Sequence, residues 1–231
     1  MPRFTNETFL THYLVDLTYP DVTHNSIVKN RHPEYWDIRT EYSKHSPLYI
    51  DSKGQHEGRD VWFWSDIHFH HKNIIKYTKR PYPTTELMNE CLIGNYNNVV
   101  KEHDIVVWGG DITFGNVAQV NQQLNDTVGY NIHIIGNHDI HKKGILNNLV
   151  FDEQYPCLVI NIDDTDIPYQ LLVTHYPLDD IPTGCVNLHG HIHQHLLTPQ
   201  HINMCVEHTN FTPMHASVVL DKANKYLLSC V

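Results

Sequence analysis

Residues 131–139 read Asn-Ile-His-Ile-Ile-Gly-Asn-His-Asp, an apolar run that ends in the motif Gly136-Asn137-His138-Asp139. The run predicts a buried strand, and the glycine predicts a tight turn at its end. Asn137 can offer a neutral amide oxygen to a metal ion, and His138 can hydrogen-bond or donate a proton to a substrate. Asp139 is placed to orient the His138 ring. Taken alone, the motif is equally compatible with a surface turn.

The same arrangement, an apolar run followed by polar residues, recurs four times along the chain. The other motifs are Asp66-Ile67-His68, Gly109-Gly110-Asp111, Thr174-His175-Tyr176 and Gly190-His191-Ile192-His193. Side chains two residues apart at a strand end point to the same side, so each Asp-x-His or His-x-His pair can face one site. Imidazole nitrogens with carboxylate and amide oxygens form a ligand set for divalent transition metals. Each motif is weak alone, but the five together predict one metal site at adjacent strand ends.

Composition and charge restrict the classes of function. The chain has 231 residues, 41% of them apolar, which is enough for one domain with a hydrophobic core. With 16 basic and 26 acidic residues, its formal charge is -10. This balance argues against a protein that coats nucleic acid through a general basic surface. It leaves open a nuclease whose metals meet the phosphate locally.

Cysteine usage and hydropathy indicate the compartment. The five cysteines, an odd number, contain no Cys-x-x-Cys pair, so we expect no disulfide scaffold and a reducing environment. The first residues lack the apolar segment of a signal peptide. No apolar run approaches the roughly 18 residues that a membrane helix needs. We therefore expect a soluble cytoplasmic protein with no membrane partner; the sequence does not indicate the oligomeric state.

The chain divides into two parts by pattern. Residues 1–58 have no sustained period but many aromatic residues, so we expect an N-terminal extension that packs on the core, with residues 47–50 pairing beside residues 61–64. Residues 59–231 form the main domain. Its first half alternates strands with helices at about 85–100 and 116–126. Its second half is read as β-rich, with runs at 157–162, 169–174, 185–189, 201–206, 216–220 and 226–230.

In their order and spacing, the five motifs resemble those of the calcineurin-like metallophosphoesterase superfamily, over about residues 60–215. The run from Asp66 to Tyr77, followed by Arg80-Pro81-Tyr82, is similar to a small phage and bacterial group of these enzymes. The resemblance implies an α/β fold, a four-layer α/β/β/α sandwich with the site at the strand ends. It also implies a centre of two divalent transition metal ions, with manganese as the first expectation and iron, zinc, cobalt or nickel as alternatives.

The resemblance implies a role for each motif residue. One metal would be held by Asp66, His68, Asp111 and His193. The other would be held by Asp111, Asn137, His175 and His191, with Asp111 bridging the two. His138 would contact the scissile phosphate without binding metal, and Asp139 would support it. Arg80 and His71 are the candidate substrate contacts, although a structural role for Arg80 is equally compatible with the sequence.

The departures from the family pattern bear on the substrate. Protein phosphatases of this superfamily carry an arginine after the Gly-Asp motif, but residues 112–116 read Ile-Thr-Phe-Gly-Asn. The sequence therefore favours a phosphodiesterase that uses a hydroxide bridging two metals, acting on a small nucleotide or on nucleic acid. A phosphomonoesterase acting on nucleotides is one alternative. A catalytically silent scaffold for a protein partner is another, although every motif position is filled.

Overall fold

A computed structural model of the chain describes residues 48–140, 147–162, 164–165 and 168–230. The strands are β1 Leu48–Ile50, β2 Gln55–His56, β3 Arg59–Trp64, β4 Ile105–Trp108, β5 Tyr130–Ile134, β6 Glu153–Tyr155, β7 Cys157–Ile162, β8 Tyr169–Thr174, β9 Cys185–His189, β10 His201–Asn203 and β11 Met214–His215. The helices are α1 Lys72–Tyr77, α2 Thr85–Val99, α3 Val117–Leu124 and α4 Ala216–Leu228. The predicted α/β class is confirmed.

The strands form two mostly parallel sheets. The first sheet has the order β11-β3-β4-β5-β6, and β2 pairs with the start of β3. Its strands β3 to β6 run parallel, and β11 is antiparallel to β3. The second sheet has the order β1-β7-β8-β9-β10, with one antiparallel pair, β7 and β8. In a parallel sheet, all carboxyl ends lie at one edge, so residues that follow neighbouring strands are brought together.

The main core lies between the two sheets. It combines inward side chains of the first sheet, such as Phe63 and Val107, with those of the second, such as Leu171 and Val186, all of them fully buried. Helix α4 packs against the margin of this core through apolar residues spaced three or four apart. A burial of this kind is the main source of stability for both sheets.

A second core lies on the outer face of the first sheet, under helices α1, α2 and α3. Helix α2 starts at the cap residue Thr84, whose side chain accepts a hydrogen bond from the Leu87 N–H, and it buries Met88 and Leu92 against the sheet. The outer face of the second sheet is covered, within the described residues, by a smaller cluster that includes Leu178.

The C-terminal segment corrects one expectation. The runs at 216–220 and 226–230 were predicted as strands, but the first run and residues 226–228 belong to helix α4, whose C-cap is Ser229. Val219, Leu220, Ala223 and Leu227 are buried at helical spacing, and the His215 side chain caps the helix by accepting from the Ser217 N–H. Short apolar runs carry no period of their own, so the helical spacing is visible only when the two runs are joined.

Strand β1 corrects a second expectation. Residues 47–50 were predicted to pair beside residues 61–64, but β1 runs parallel to β7 in the second sheet, with Ile50 opposite Ile162. The place beside β3 is taken by β11 and β2. Burial explains the choice, because Ile50 is 2% exposed within the inter-sheet core. The rest of the predicted extension, residues 1–47, lies outside the described residues.

Two further features bear on the sequence predictions. No disulfide joins the five cysteines within the described residues. Among the helices of the described part of the chain, none is long and apolar enough to cross a membrane.

Candidate metal centre

The five motifs meet where the carboxyl ends of the two sheets come together. Each predicted ligand follows a strand: Asp66 and His68 follow β3, Asp111 follows β4, Asn137 follows β5, His175 follows β8, and His191 and His193 follow β9. A direct hydrogen bond joins the sheets here, since the His175 Nδ1 lies 2.8 Å from the Gly109 carbonyl oxygen. A second one runs from the His191 N–H to Asp66 Oδ2 at 2.9 Å.

The backbone of the predicted ligands is unusual. Ten non-glycine residues have a positive φ in the described part of the chain, and five of them are Asp66, His68, Asp111, His191 and His193. This left-handed conformation costs free energy for any residue with a Cβ, and such residues concentrate at functional sites. At all five positions it turns a polar side chain back towards the strand ends.

Two motif glycines allow the loops to pack closely. A Cβ at Gly136 would collide with the backbone nitrogen and carboxylate of Asp111. A Cβ at Gly190 would collide with the side chains of Ser65 and Asp66. Both glycines are therefore required by close approach between loops, which brings carboxylates within reach of the facing imidazoles.

The first half of the site surrounds Asp66 Oδ1. The Nε2 atoms of His68 and His193 each lie 3.9 Å from this oxygen, and His68 Nε2 lies 3.7 Å from Asp111 Oδ2. These separations are too long for hydrogen bonds. They match two ligands that share one cation, because each bond to such an ion is about 2.0–2.2 Å long.

The second half surrounds the other oxygen of Asp111. His175 Nε2 lies 3.3 Å from Asp111 Oδ1 and 3.0 Å from the amide oxygen of Asn137. Asp111, His175 and His191 each present a ligand atom within 4.8 Å of the others. Asp111 belongs to both halves, with Oδ2 towards His68 and Oδ1 towards His175. A carboxylate placed in this way can bridge two cations.

The protonation of His175 indicates that this half of the site is built for a cation. Its Nδ1 faces a carbonyl oxygen and must donate, which leaves Nε2 facing two oxygen acceptors. Burial lowers the pKa of His175, but the facing Asp111 carboxylate outweighs it and raises the pKa to about 10. A proton on Nε2 therefore occupies the position where a metal ion would satisfy the same acceptors and the neutral imidazole together.

The buried atoms without partners also fit a metal centre. Eight buried side-chain nitrogen and oxygen atoms of the described residues have no hydrogen-bond partner. Four of them belong to this site or its margin, namely Asp66 Oδ1, both ring nitrogens of His68, and His71 Nδ1. A buried polar atom without a partner costs free energy, so the grouping of four such atoms at this site fits side chains that would bind a metal ion.

Burial and neighbouring charges set the ionisation of the other ligands. Burial lowers the pKa of His68 well below its usual range, which keeps the ring neutral and able to bind metal. Burial raises the pKa of Asp66. It also opposes ionisation of Asp111, but the charge and hydrogen bond of His175 outweigh it and lower that pKa. The Asp111 carboxylate is thus held in its ionised form.

His138 lies at the mouth of the site. Its side chain is 36% exposed, and its Nε2 lies 3.8 Å from Asp111 Oδ2. Its backbone N–H donates to Asp111 Oδ1 at 2.8 Å, which fixes the position of the loop. In this position the His138 ring faces both the solvent and the candidate metal ligands, as expected for a residue that contacts substrate.

Asp139 does not have the predicted role. The carboxylate is fully buried and accepts from the backbone N–H groups of Gly136, Asp111 and Ile112 at 2.9 Å each. It also lies 2.9 Å from His133 Nε2, and no hydrogen bond joins it to the His138 ring. Asp139 therefore fixes the two loops that carry Asp111 and Asn137. The predicted contact fails because His138 and Asp139, although adjacent in this turn, direct their side chains to different sides.

Arg80 is also corrected, since its guanidinium is buried and fully engaged. Its Nε and Nη2 donate to Glu207, its Nη1 and Nη2 donate to the carbonyl oxygens of Ile67 and Asp66, and Nη1 also faces the Met88 sulfur. No donor remains for a phosphate group. Arg80 instead holds the loop that carries Asp66 and His68.

Glu207 joins this loop to the one that carries His193. Its Oε1 accepts from Arg80 at 2.8 Å and lies 3.3 Å from His193 Nδ1. With Nδ1 donating to Glu207, the Nε2 of His193 is free to face Asp66 Oδ1. The Arg80–Glu207 pair therefore sets the tautomer and the position of a predicted metal ligand.

His71, the second predicted substrate contact, lies beside the first half of the site. Its ring centroid is 5.3 Å from that of His68 and 4.3 Å from that of Phe114, nearly parallel to the latter. The position is compatible with contact to a substrate, which remains a prediction.

Two residues that follow β10, Cys205 and Glu207, support the site although they belong to none of the five motifs. The Cys205 thiol is buried and donates to Asp66 Oδ2 at 3.1 Å, beside the Ser65 hydroxyl, which donates to the same oxygen at 2.6 Å. These two donors and the His191 N–H occupy Oδ2, so Oδ1 is left to face the site. Their place in the sequence could have indicated this role, because Cys205 and Glu207 also follow a short strand and have an apolar residue between them.

Comparisons with known proteins support the fold and a family. No protein-family model matches the chain. The uncharacterized protein MJ1445 of Methanocaldococcus jannaschii is 32% identical over 179 residues, which cover 72% of this chain and 93% of that protein. The crystal structure of AQ665, a protein of unknown function from Aquifex aeolicus, superposes with a TM-score of 0.56 at 24% identity, over 70% of this chain and 97% of that one.

Proposed function

The chain belongs to the same family as MJ1445, and we propose that it is a dinuclear, metal-dependent phosphoesterase that hydrolyses phosphodiester bonds. The observation that carries the proposal is the position of Asp111. Its two carboxylate oxygens face two different imidazole groups, His68 at 3.7 Å and His175 at 3.3 Å. A single carboxylate between two sets of neutral or borderline donors is the arrangement expected of a two-metal site.

The fold supports the same assignment. Two sheets packed face to face, with three helices on the outer face of the first, provide three of the four layers that the resemblance to metallophosphoesterases implies; within the described residues, the outer face of the second sheet carries a small apolar cluster. We propose that the architecture is the four-layer α/β/β/α sandwich of that superfamily, with the site at the carboxyl ends of both sheets.

The mixed nitrogen and oxygen donors suit manganese, iron, zinc, cobalt or nickel, and the resemblance to metallophosphoesterases makes manganese the first expectation. Asp66, His68, Asp111 and His193 would hold one ion, and Asp111, Asn137, His175 and His191 would hold the other. When bound, two divalent ions neutralise the charge on the phosphoryl oxygens and acidify water in the site. The hydrogen bonds to Asp66 Oδ2 from Ser65 and Cys205 keep the other oxygen directed inwards.

His138 would act on the substrate rather than on the metals. It is the most exposed imidazole of the ion pairs around Asp111, and its backbone is fixed by the hydrogen bond to that carboxylate. From this position Nε2 can donate a hydrogen bond to a phosphoryl oxygen or a proton to the leaving oxygen.

The surroundings favour a diester over a monoester. Arg80, whose guanidinium contacts the loop that carries Asp66 and His68, has all its donors engaged by Glu207, backbone carbonyl oxygens and the Met88 sulfur. The residue after the bridging Asp111 that reaches the mouth of the site is Phe114, not a cation. A phosphodiester carries one negative charge and a monoester up to two. Binding of a diester therefore depends less on a cationic side chain beside the metals.

The proposal is tested by metal content and turnover together. The protein, reconstituted with manganese, should contain two ions per chain by elemental analysis. It should hydrolyse bis(p-nitrophenyl) phosphate with a higher kcat/KM than p-nitrophenyl phosphate. Asp111→Asn should lose both tightly bound ions and the activity. The matched control is Asp221→Asn, which changes an exposed carboxylate on helix α4 and should retain both.

Two results would contradict the proposal. One bound ion per chain with no effect of Asp111→Asn would exclude a bridged pair. A higher kcat/KM for the monoester would reverse the substrate class and support a nucleotide phosphomonoesterase.

A further inference from the structure

An exposed aromatic side chain stands beside the candidate catalytic histidine. Phe114 is 57% exposed, and its ring centroid lies 4.9 Å from that of His138, edge to face. Its contacts with the rings of His138 and His71 place it beside the candidate metal centre. A group attached to a phosphate that contacts His138 can therefore reach this ring.

The Phe114 ring is held in place although it is exposed. The His71 ring stacks on it at 4.3 Å with an interplanar angle of 15°. The backbone N–H of Phe114 donates to the Phe69 carbonyl oxygen, and the hydroxyl of the neighbouring Thr113 donates to the same oxygen at 3.1 Å. A ring that is fixed before binding loses little conformational entropy when a second ring stacks on it.

The aromatic surface continues beyond Phe114. Tyr77, at the end of α1, is 70% exposed, and its ring centroid lies 6.2 Å from that of His71, which in turn lies 5.3 Å from that of His68. The set Phe114, His71 and Tyr77, called here the aromatic rim, therefore borders the first metal half-site. The rim is a set of individual rings rather than a wide apolar face, so it is suited to one planar group.

We propose that the aromatic rim binds the base of a nucleoside, with Phe114 as the stacking surface, and that the substrates are small phosphodiesters of nucleosides. The inference rests on the proposed function and names its substrate class. A base is separated from its phosphate by one sugar, and the Phe114 ring lies directly beside the His138 ring that would face the phosphate. Stacking on an aromatic ring tolerates every base, so the rim selects the class and not the base.

Charge favours a small substrate over a long polymer. The formal charge of the chain is -10, which repels a polyanion away from the metals. Among the described residues, Arg80 is the one arginine that contacts the loops carrying the predicted ligands. It is buried, and its donors are engaged. A mononucleotide diester needs only the metals for its single phosphate and the rim for its base.

The test compares two diesters with the same leaving group on the manganese-loaded protein. Thymidine 5′-(p-nitrophenyl phosphate) carries a base, and methyl p-nitrophenyl phosphate does not. Phe114→Leu keeps an apolar side chain but removes the ring. We expect it to lower kcat/KM for the thymidine ester about tenfold, mainly through KM. For the methyl ester, kcat/KM should stay within about twofold. Phe114→Trp should retain or improve the use of the thymidine ester.

A control and a binding measurement keep the outcomes separate. Leu228→Ala changes an exposed apolar residue on helix α4 and should alter neither substrate. Calorimetric binding of thymidine 5′-monophosphate should weaken about tenfold in Phe114→Leu. If the wild-type protein hydrolyses neither diester, the proposed function fails, and this binding difference still decides the role of the rim. Equal loss on both esters, or unchanged binding of the nucleotide, would overturn the inference.

Discussion

Replacement of Arg80 by methionine should destabilise the protein strongly, although the position is outside the metal ligands. Arg80 is 4% exposed, and its guanidinium Nη2 lies 2.8 Å from Glu207 Oε1. The change leaves the Glu207 carboxylate buried without its cation. Removal of one partner from a buried ion pair costs about 3–5 kcal/mol, because the remaining charge is uncompensated.

The lowered pKa of Glu207 reflects the stabilisation of its ionised carboxylate by His193 and Arg80 together, of which Arg80 supplies a part. Burial raises this pKa, but the hydrogen bond from His193 and the charge of Arg80 outweigh it and lower it from 4.5 to about 2. At about 1.4 kcal/mol per pKa unit, the lowering corresponds to roughly 3 kcal/mol of folding free energy. Because the folded pKa is depressed, this stability is present above about pH 4.5 and is lost as the pH falls towards 2.

The assay is urea unfolding with excess chelator, so that bound metal does not add to the stability. At pH 7, Arg80→Met should lower the free energy of unfolding by about 3–5 kcal/mol, and Tm should fall by roughly 6–20 °C. Its stability should also depend less on pH between 5 and about 2. The matched control is Lys225→Met, which breaks the exposed pair with Asp221 on helix α4 and should cost a few tenths of a kcal/mol.

A loss below about 1 kcal/mol in Arg80→Met would refute the reasoning. It would mean that Glu207 finds water or another donor when the guanidinium is removed. A double-mutant cycle with Glu207→Gln separates the two effects, since a coupling near zero would show that the pair acts as two independent side chains.

Three further predictions follow from the site and the fold. His138→Ala should retain both metal ions by elemental analysis while kcat falls roughly 10²-fold or more, and a loss of metal without loss of turnover would contradict its assigned role. Asp139→Asn replaces an acceptor of three backbone N–H groups by an amide, so unfolding in urea should show a loss of about 2 kcal/mol or more, whereas an unchanged midpoint would show that the carboxylate is dispensable. A protein that starts at residue 59 loses strand β1 with the buried Ile50, and it should melt clearly below one that starts at residue 48; equal melting temperatures would contradict the pairing of β1 with β7.

Local sequence patterns predicted the framework of the site. Strands β3, β4, β5, β8 and β9 and helices α2 and α3 lie where the apolar runs placed them. The motif after each of these strands could be recognised in the sequence, because a buried strand is an apolar run and the polar motif residues begin where that run ends. Parallel neighbours then bring the ends of β3 and β4 together, so the convergence of Asp66 and Asp111 was predictable without coordinates, whereas the approach of His175 depends on how the second sheet packs on the first.

The sequence was misleading where a residue has two local interpretations. The end of the chain gave short apolar runs that suit either a strand or a helix, and burial against the inter-sheet core selected helix α4. Strand β1 was recognised, but its partner was not, because a three-residue strand carries no information about which sheet edge is available.

The roles of the buried charges were decided only by the tertiary structure. Asp139 follows His138 directly, yet its carboxylate holds the backbone of residues from another strand end. Arg80 and Glu207 are separated by 127 positions, and nothing in either local sequence indicates the pair. The sequence by itself determined which side chains emerge at the strand ends, since hydrophobic periodicity is local. The tertiary structure decided which of them bind one another, since hydrogen bonds and ion pairs depend on distance in space and on which donors burial leaves without water.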